Sequence, residues 1–230
     1  MKTAPTIAFL VAIVFVRNAT ADIIFNGNFE VPVQGPPNYA TFNIPAGSTY
    51  ISGWTVVQGN VDLTTTANYG PGTNTLDPNS VQDIDLIGDA NGSGGVFGGL
   101  SQTFTTLAGQ QYLLTFDYSH NPGTFSPDYA AQVTVADANA PGNIVLSAEI
   151  SQPYGPAPWV AFAQTFTANS TSTVLTFIAT RGASNAGIYL DDVSIVPVPE
   201  PGSTFLLLLG LFSVGLVAHR WPSRRSTAVR

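Results

Sequence analysis

The 230-residue chain has no cysteine, one methionine, and charged residues at only 9% of its positions. Without cysteine, neither a disulfide framework nor a thiolate metal centre can form, so the fold must rest on its apolar core and its hydrogen bonds. Bases are scarcer still. Between Asp22 and Val198, thirteen carboxylates face a single base, Arg181, which leaves that stretch at a formal charge of −12. Such a surface repels phosphate and argues against nucleic acid as a partner, whereas neutral ligands and divalent cations suit it. Histidine occurs there once, as His120, so a Ser-His-Asp triad would have to use it, and no Gly-x-Ser-x-Gly elbow is present. A two-carboxylate glycosidase stays open on composition, with Asp83, Asp85, Asp117 and Asp128 as its material.

Convincing helical periodicity is also missing before residue 200, and what replaces it is alternation. Gln111 to Tyr118 places Tyr112, Leu114, Phe116 and Tyr118 on one face and Gln111, Leu113, Thr115 and Asp117 on the other. Similar β-rich runs cover 132–136, 144–150, 160–167, 174–180 and 188–196, separated by Gly, Pro, Asn and Asp clusters. Many short strands with such turns predict an all-β antiparallel sandwich. Gln102-Thr103-Phe104-Thr105 followed by Leu114-Thr115-Phe116 is echoed by Gln164-Thr165-Phe166-Thr167 followed by Leu175-Thr176-Phe177. Each unit reads as a hairpin, with 107–110 and 168–171 as the reversals. The segment from Gly88 to Gly99 reads as a Gly-rich loop. Its Asp89-Ala90-Asn91-Gly92-Ser93-Gly94 imitates the front of a calcium loop, but Leu100 stands where an EF-hand needs a bidentate Glu.

Long apolar runs occur only at the two ends. Lys2, the apolar stretch Ile7 to Val16 and Ala19-Thr20-Ala21 have the order of a signal peptide over 1–21, with Asp22 as the first mature residue. The body then spans 22–197, the size of one domain. At the other end, Val198-Pro199-Glu200-Pro201 precedes an apolar segment over 204–218 and a tail carrying Arg220, Arg224, Arg225 and Arg230. That segment would make a helix of roughly 22 Å against a hydrocarbon core of roughly 30 Å, a marginal single transmembrane span. The arginines favour a cytoplasmic C-terminus. Residues 198–230 resemble the PEP-CTERM sorting signal, which implies processing by an exosortase-type membrane transpeptidase, transient anchoring in the inner membrane, and delivery to the surface or extracellular matrix of a Gram-negative bacterium. A permanent C-terminal anchor is the alternative.

Within the body, Asn26-Gly27-Asn28-Phe29-Glu30, Ile51-Ser52-Gly53-Trp54 with Val61-Asp62-Leu63, Asp85-Leu86-Ile87-Gly88 and Tyr189-Leu190-Asp191-Asp192-Val193 occur in that order. Together they resemble the galactose-binding-like jelly rolls, and among these the DUF642 and choice-of-anchor families. The resemblance implies a β-sandwich used for carbohydrate or cell-wall attachment, without implying catalysis, and a non-catalytic protein that binds extracellular polysaccharide is the expectation. In resembling domains a structural calcium often joins the first and last strands; here Glu30, Asp191 and Asp192, with backbone carbonyls near Asn28, offer hard oxygen ligands, or else these side chains cap turns. Strand alternation would send Asp191 and Asp192 to opposite faces. Sugar binding needs flat aromatic faces beside polar groups, and Tyr69, His120, Phe125, Tyr129 and Tyr154 lie in or beside Gly/Pro-rich loops, where a jelly roll presents ligand. Trp54 and Trp159, next to strands, read as core. Two readings compete with polysaccharide binding: a structural matrix protein without a specific ligand, and a carboxylate-based hydrolase.

Overall fold

Alternating strands joined by polar and Gly-rich connections build the chain between residues 40 and 197. The computed structural model describes residues 21–36, 39–123 and 125–199. Its strands are β1 (Ala40–Pro45), β2 (Thr55–Gln58), β3 (Asn60–Thr65), β4 (Gln82–Asp85), β5 (Gly99–Thr105), β6 (Gln111–His120), β7 (Asp128–Asp137), β8 (Ala140–Pro153), β9 (Val160–Thr167), β10 (Ser172–Arg181) and β11 (Ile188–Pro197). They form a six-stranded sheet in the order β1-β3-β4-β11-β6-β9 and a five-stranded sheet in the order β2-β5-β10-β7-β8. Every strand pairing within them is antiparallel. The chain is therefore an all-β sandwich. The segment read as a signal peptide, apart from Ala21, and everything from Glu200 onward lie outside the described residues.

Inward positions of the two sheets supply one core. Trp54 packs on Phe29 and Phe177 at ring-centroid distances of 5.3 and 6.3 Å, and Phe177 meets Phe116 edge-on at 5.1 Å. Val61, Leu63, Ile84, Leu100, Leu114, Leu175, Ile188 and Leu190 fill the space around them without solvent exposure. Each such side chain is worth roughly 1.5–3 kcal/mol on burial, which is how a domain without disulfides can hold together. The Trp54 indole N–H donates to the Asn26 carbonyl at 3.0 Å, so its polar edge is satisfied inside the core.

The two echoed units are not hairpins. β5 and β10 lie in the five-stranded sheet while β6 and β9 lie in the other, so each unit arches across the sandwich. The arches run side by side: Ala168 N–H donates to the Gln110 carbonyl at 3.0 Å, Thr106 N–H donates to the Thr171 carbonyl at 3.1 Å, and the Thr106 and Thr173 hydroxyls meet at 2.7 Å. Phe104 and Leu175 reach the shared core from the five-stranded sheet, and Leu114 and Phe166 from the six-stranded one.

The chain ends are tied together through the backbone. Ile23 N–H donates to the Ile195 carbonyl and Val193 N–H to the Gly27 carbonyl, at 3.0 and 2.9 Å, while Asp22 Oδ1 accepts from Ile195 N–H at 3.0 Å. Val198 continues this order past β11: its N–H donates to the Gln111 carbonyl and its carbonyl accepts from Gln110 Nε2.

Candidate functional site

The outward positions of the six-stranded sheet are polar, and register sets them in rows. Asp62 on β3 faces Asp85 on β4, which faces Tyr189 on β11, which faces Ser119 on β6. The next row holds Thr64 opposite Asp83, and Asp191 opposite Asp117. An uncovered sheet would leave these carboxylates in water. Instead the connection from Thr66 to Val81 folds over them: Asn74 Nδ2 donates to Asp117 and Asp191 at 3.1 Å each, Ser80 Oγ donates to Asp191 at 2.6 Å, and the Trp159 indole N–H holds the Gly72 carbonyl at 3.2 Å. Gly70, at φ +71°, lies flat on the Tyr189 ring, where any Cβ would come within 2.5 Å of it.

Asp83, Asp85 and Asp191 are consequently sealed from solvent. Burial pushes Asp85 up to about 8; the Asp62 charge adds to this, while hydrogen bonds from the Ile87 amide and Asn121 oppose it. Asp191 is likewise pushed up to about 8 by burial, against the Ser80 hydrogen bond and with help from the Asp192 charge. Asp83 is raised well above the usual carboxylate range by burial, with Asp191, Asp85 and Glu30 adding like charge and only the Thr64 hydroxyl opposing. Arg181, the one base among the described residues, is committed elsewhere, to Asp128 at 2.5 Å and to Glu149 at 2.9 Å. Of the four carboxylates that a glycosidase could have drawn on, two are sealed, Asp117 is held by Asn74, and Asp128 is ion-paired.

Beside the start of the covering connection, a cleft of about 590 Å³ opens. Phe42 and Asn43 from β1, Asp62 from β3, Asn68 to Gly70, Asn121 to Gly123, Asn185 and Tyr189 line it. Phe42 and Tyr69 stand edge to face, 5.2 Å between centroids, with 50% and 42% of their surfaces exposed. The polar side is braced from behind. Asp62 Oδ1 accepts from Asn43 N–H at 2.7 Å; Asn121 Nδ2 donates to Asp85 Oδ2 at 3.1 Å and to the Asn185 carbonyl at 3.0 Å; and Gly123 N–H caps Asn121 Oδ1 at 2.8 Å. Burial pushes Asp62 up to about 6, with the nearby Asp89 charge adding to the shift. The cleft thus combines an apolar aromatic wall with amides and a carboxylate held in fixed orientation.

Among the five aromatic candidates, the structure brings Tyr69 alone to this cleft. His120 and Tyr129 are corrections: both are fully buried, stacked on each other at 4.6 Å with their planes 6° apart. They sit at the end of β6 and the start of β7, not in the loops that flank them, and both His120 ring nitrogens face main-chain carbonyls, of Asn121 and Pro156. Neither ring can offer a face to a sugar. Phe125 and Tyr154 form a separate exposed pair, edge to face at 5.0 Å. Phe42, Asn43, Asn68, Asn121 and Asn185 were missed; the legible signal was the polar alternation Asn60-x-Asp62-x-Thr64, which marks one face of β3 as a polar surface.

At the chain ends, Glu30 spends Oε1 on the Val81 and Gln82 amides, at 2.8 and 3.0 Å. Asn28 and Asp192 line a smaller cleft of about 440 Å³. Asp191 and Asp192 do not take opposite faces. A bulge between Asp191 and Ser194, with Asp192 at φ +49°, turns both toward Asn74, whose Nδ2 lies 3.1 Å from Asp191 and 3.5 Å from Asp192. Among the described residues, no three His, Asp or Glu side chains converge closely enough to hold a metal ion between them.

Fold and cleft define the class: a two-sheet antiparallel sandwich that presents a polar, aromatic-walled cleft formed by its loops and one sheet edge. The chain belongs to the family described as "Protein of unknown function (DUF642)", matched over residues 22–196. It is 32% identical over 206 residues to Halomucin of Haloquadratum walsbyi, covering 86% of this chain and about 2% of the length of that protein. Similar solved structures include TmCBM61 in complex with β-1,4-galactotriose (18% identity, TM-score 0.47, 78% of this chain and 100% of that one). Another is the CBM22-1 xylan-binding domain of Paenibacillus barcinonensis Xyn10C (17% identity, TM-score 0.42, 70% and 94%).

Proposed function

We propose that this protein is a non-catalytic, exported module that binds extracellular polysaccharide in the Phe42–Tyr69 cleft. The observation that carries the reading is the cleft itself: an exposed aromatic pair in one lining with Asn43, Asp62, Asn68 and Asn121. Sugars have apolar C–H faces and a rim of hydroxyls, and a wall of ring faces beside fixed amides and a carboxylate matches both. Neutral glycans are favoured, because no base lines the cleft and the body carries −12. The galactose-binding-like jelly roll is the finer fold reading. The sorting motif supports delivery by an exosortase-type system to the cell surface or matrix.

Affinity-gel retardation on a panel of neutral and acidic polysaccharides tests this. The protein should be retarded on at least one neutral polymer, and Tyr69→Ala should lose about tenfold in affinity, equivalent to about 1.4 kcal/mol. Retardation on none, with the fold intact, would favour a matrix protein without a specific ligand. Sugar release that disappears in Asp62→Asn would point to a hydrolase.

A further inference from the structure

The sandwich has four edge strands, β1 and β9 in one sheet and β2 and β8 in the other, and three of them are guarded. β1 ends in Pro45 and breaks register between Thr41 and Ile44; β2 is four residues long and shifts between Val56 and Gln58; β8 carries Pro141, Glu149 and two register breaks. Short length, proline, charge and bulges are the features that keep a strand edge from pairing with another chain. β9 has none of them. It runs for eight residues, from Val160 to Thr167, without charge or proline, and pairs with β6 from Tyr118↔Val160 to Gln111↔Thr167 without a shift.

Register assigns the free side of β9 residue by residue. Ala168 N–H donates to the Gln110 carbonyl, and bonding alternates along an antiparallel ladder, so Phe166, Gln164 and Phe162 bond to β6. Ala161, Ala163, Thr165 and Thr167 therefore point their N–H and C=O groups away from it, and all of them are exposed. Among the described residues, no hydrogen bond reaches these groups. Charge is also absent from this part of the chain. From Ile150 to Thr180 there is no charged residue, although the body as a whole stands at −12. The one carboxylate on the adjoining β6, Asp117, is held by Asn74.

We propose that two copies of this chain join β9 to β9, antiparallel, about a two-fold axis between their Gln164 residues. A second copy fits this edge on two counts. Bodies at −12 repel each other, and β9 is an edge where both can approach with no charge on either strand. The edge is also its own complement: this axis sets Ala161 opposite the second copy's Thr167 and Ala163 opposite its Thr165, so every free main-chain group pairs, as a two-fold contact requires. Phe162, partly exposed where it stacks on Phe116 at 4.4 Å, comes opposite the second copy's Phe166. The cleft draws a wall from β1, at the other edge of the same sheet, so both clefts stay open at the far ends of the joined sheet. With the cleft binding glycan as proposed above, the pair is bivalent toward a polymer; the pairing itself does not rest on that reading.

The test uses the full-length chain, purified in a non-ionic detergent that covers the apolar 204–218 segment, with no sugar present. The chain has no cysteine, so the only thiol in each variant is the one introduced. Facing residues of a non-hydrogen-bonded antiparallel pair have Cα atoms about 4.5 Å apart, within disulfide reach. Under mild copper–phenanthroline oxidation, followed on non-reducing gels, Gln164→Cys should therefore dimerise at least about tenfold faster than Ala161→Cys, whose two thiols lie at opposite ends of the paired strands. A mixture of Ala161→Cys and Thr167→Cys should form the mixed dimer faster than either variant dimerises alone. Adding Ala163→Pro to Gln164→Cys should cut its rate to the Ala161→Cys level with the fold intact by circular dichroism, because the Ala163 N–H bonds nothing within the chain. Equal rates for Gln164→Cys and Ala161→Cys, a mixture no faster than its parts, or a rate untouched by Ala163→Pro would overturn the proposal and leave the edge to a strand of another protein. Retardation on polysaccharide would stand in either case.

Discussion

Asp83 offers a quantitative test of the buried carboxylate rows. Its side chain is fully buried, Oδ1 accepts the Thr64 hydroxyl, and Oδ2 has no partner. Asp191, Asp85 and Glu30 add repulsion, and the domain's one base is engaged elsewhere. The folded protein therefore holds a proton on Asp83 at pH values where the unfolded chain, with a carboxyl near 3.9, has released it. Because the folded value is the higher, this group's stabilising contribution is complete below about pH 4 and is lost as pH rises toward the folded value, at about 1.4 kcal/mol per pH unit. Asp83→Asn has nothing to release. Between pH 5 and pH 7 its stability relative to the parent should therefore rise with pH, at up to about 1.4 kcal/mol per pH unit for as long as the folded parent keeps that proton. Urea denaturation at pH 5, 6 and 7, followed by the fluorescence of Trp54 and Trp159, measures it. Parallel pH profiles for the two proteins would refute the reasoning, as would a variant less stable than the parent at pH 7.

Other outcomes follow from the same geometry. Trp54→Ala should cost about 3–5 kcal/mol in urea denaturation, because it empties the space between Phe29 and Phe177 and removes one of the two donors to the Asn26 carbonyl. His120→Ala should lower thermal stability through lost stacking on Tyr129 while leaving polysaccharide retardation unchanged relative to the folded parent, which a gel and a melting curve together decide. Phe125→Ala should leave retardation within twofold of the parent, since Phe125 does not line the cleft. Mass spectrometry of the protein recovered from a host bearing an exosortase should show a chain ending near Glu200, and a mass that still includes residues 205–230 would point to a permanent anchor.

Strands from β6 onward were legible because each alternates over eight or more residues between clear turn clusters; Gln111 to Tyr118 faces the core through Tyr112, Leu114 and Phe116, as its pattern requires. β1 to β4 are only four to six residues long, and every position of β3 and β4 is buried, so alternation of exposure was erased there. What buries them is the Thr66–Val81 connection, a tertiary event with no local signature. That same covering is why Asp83, Asp85 and Asp191 read as ordinary strand polar residues in sequence and are sealed in the fold. Unbroken alternation puts Asp191 and Asp192 on opposite faces, and the bulge that breaks it leaves no mark in two adjacent aspartates. Of the cleft, Tyr69 was readable as a loop aromatic, while the asparagines that line it come from separate segments that only the sandwich brings together. His120 and Tyr129 misled because a residue one position inside a strand end is, in sequence, indistinguishable from one in the loop.

Whether polysaccharide binds in the Phe42–Tyr69 cleft is decided by a titration of ¹⁵N-labelled protein with neutral oligosaccharides, followed by two-dimensional NMR. Binding there predicts shifts in the side-chain amide signals of Asn68 and Asn121 and the backbone signals of 68–70, with those near Phe125 and Tyr154 unmoved. Shifts confined to the Phe125–Tyr154 pair, or none with any oligosaccharide, would contradict it.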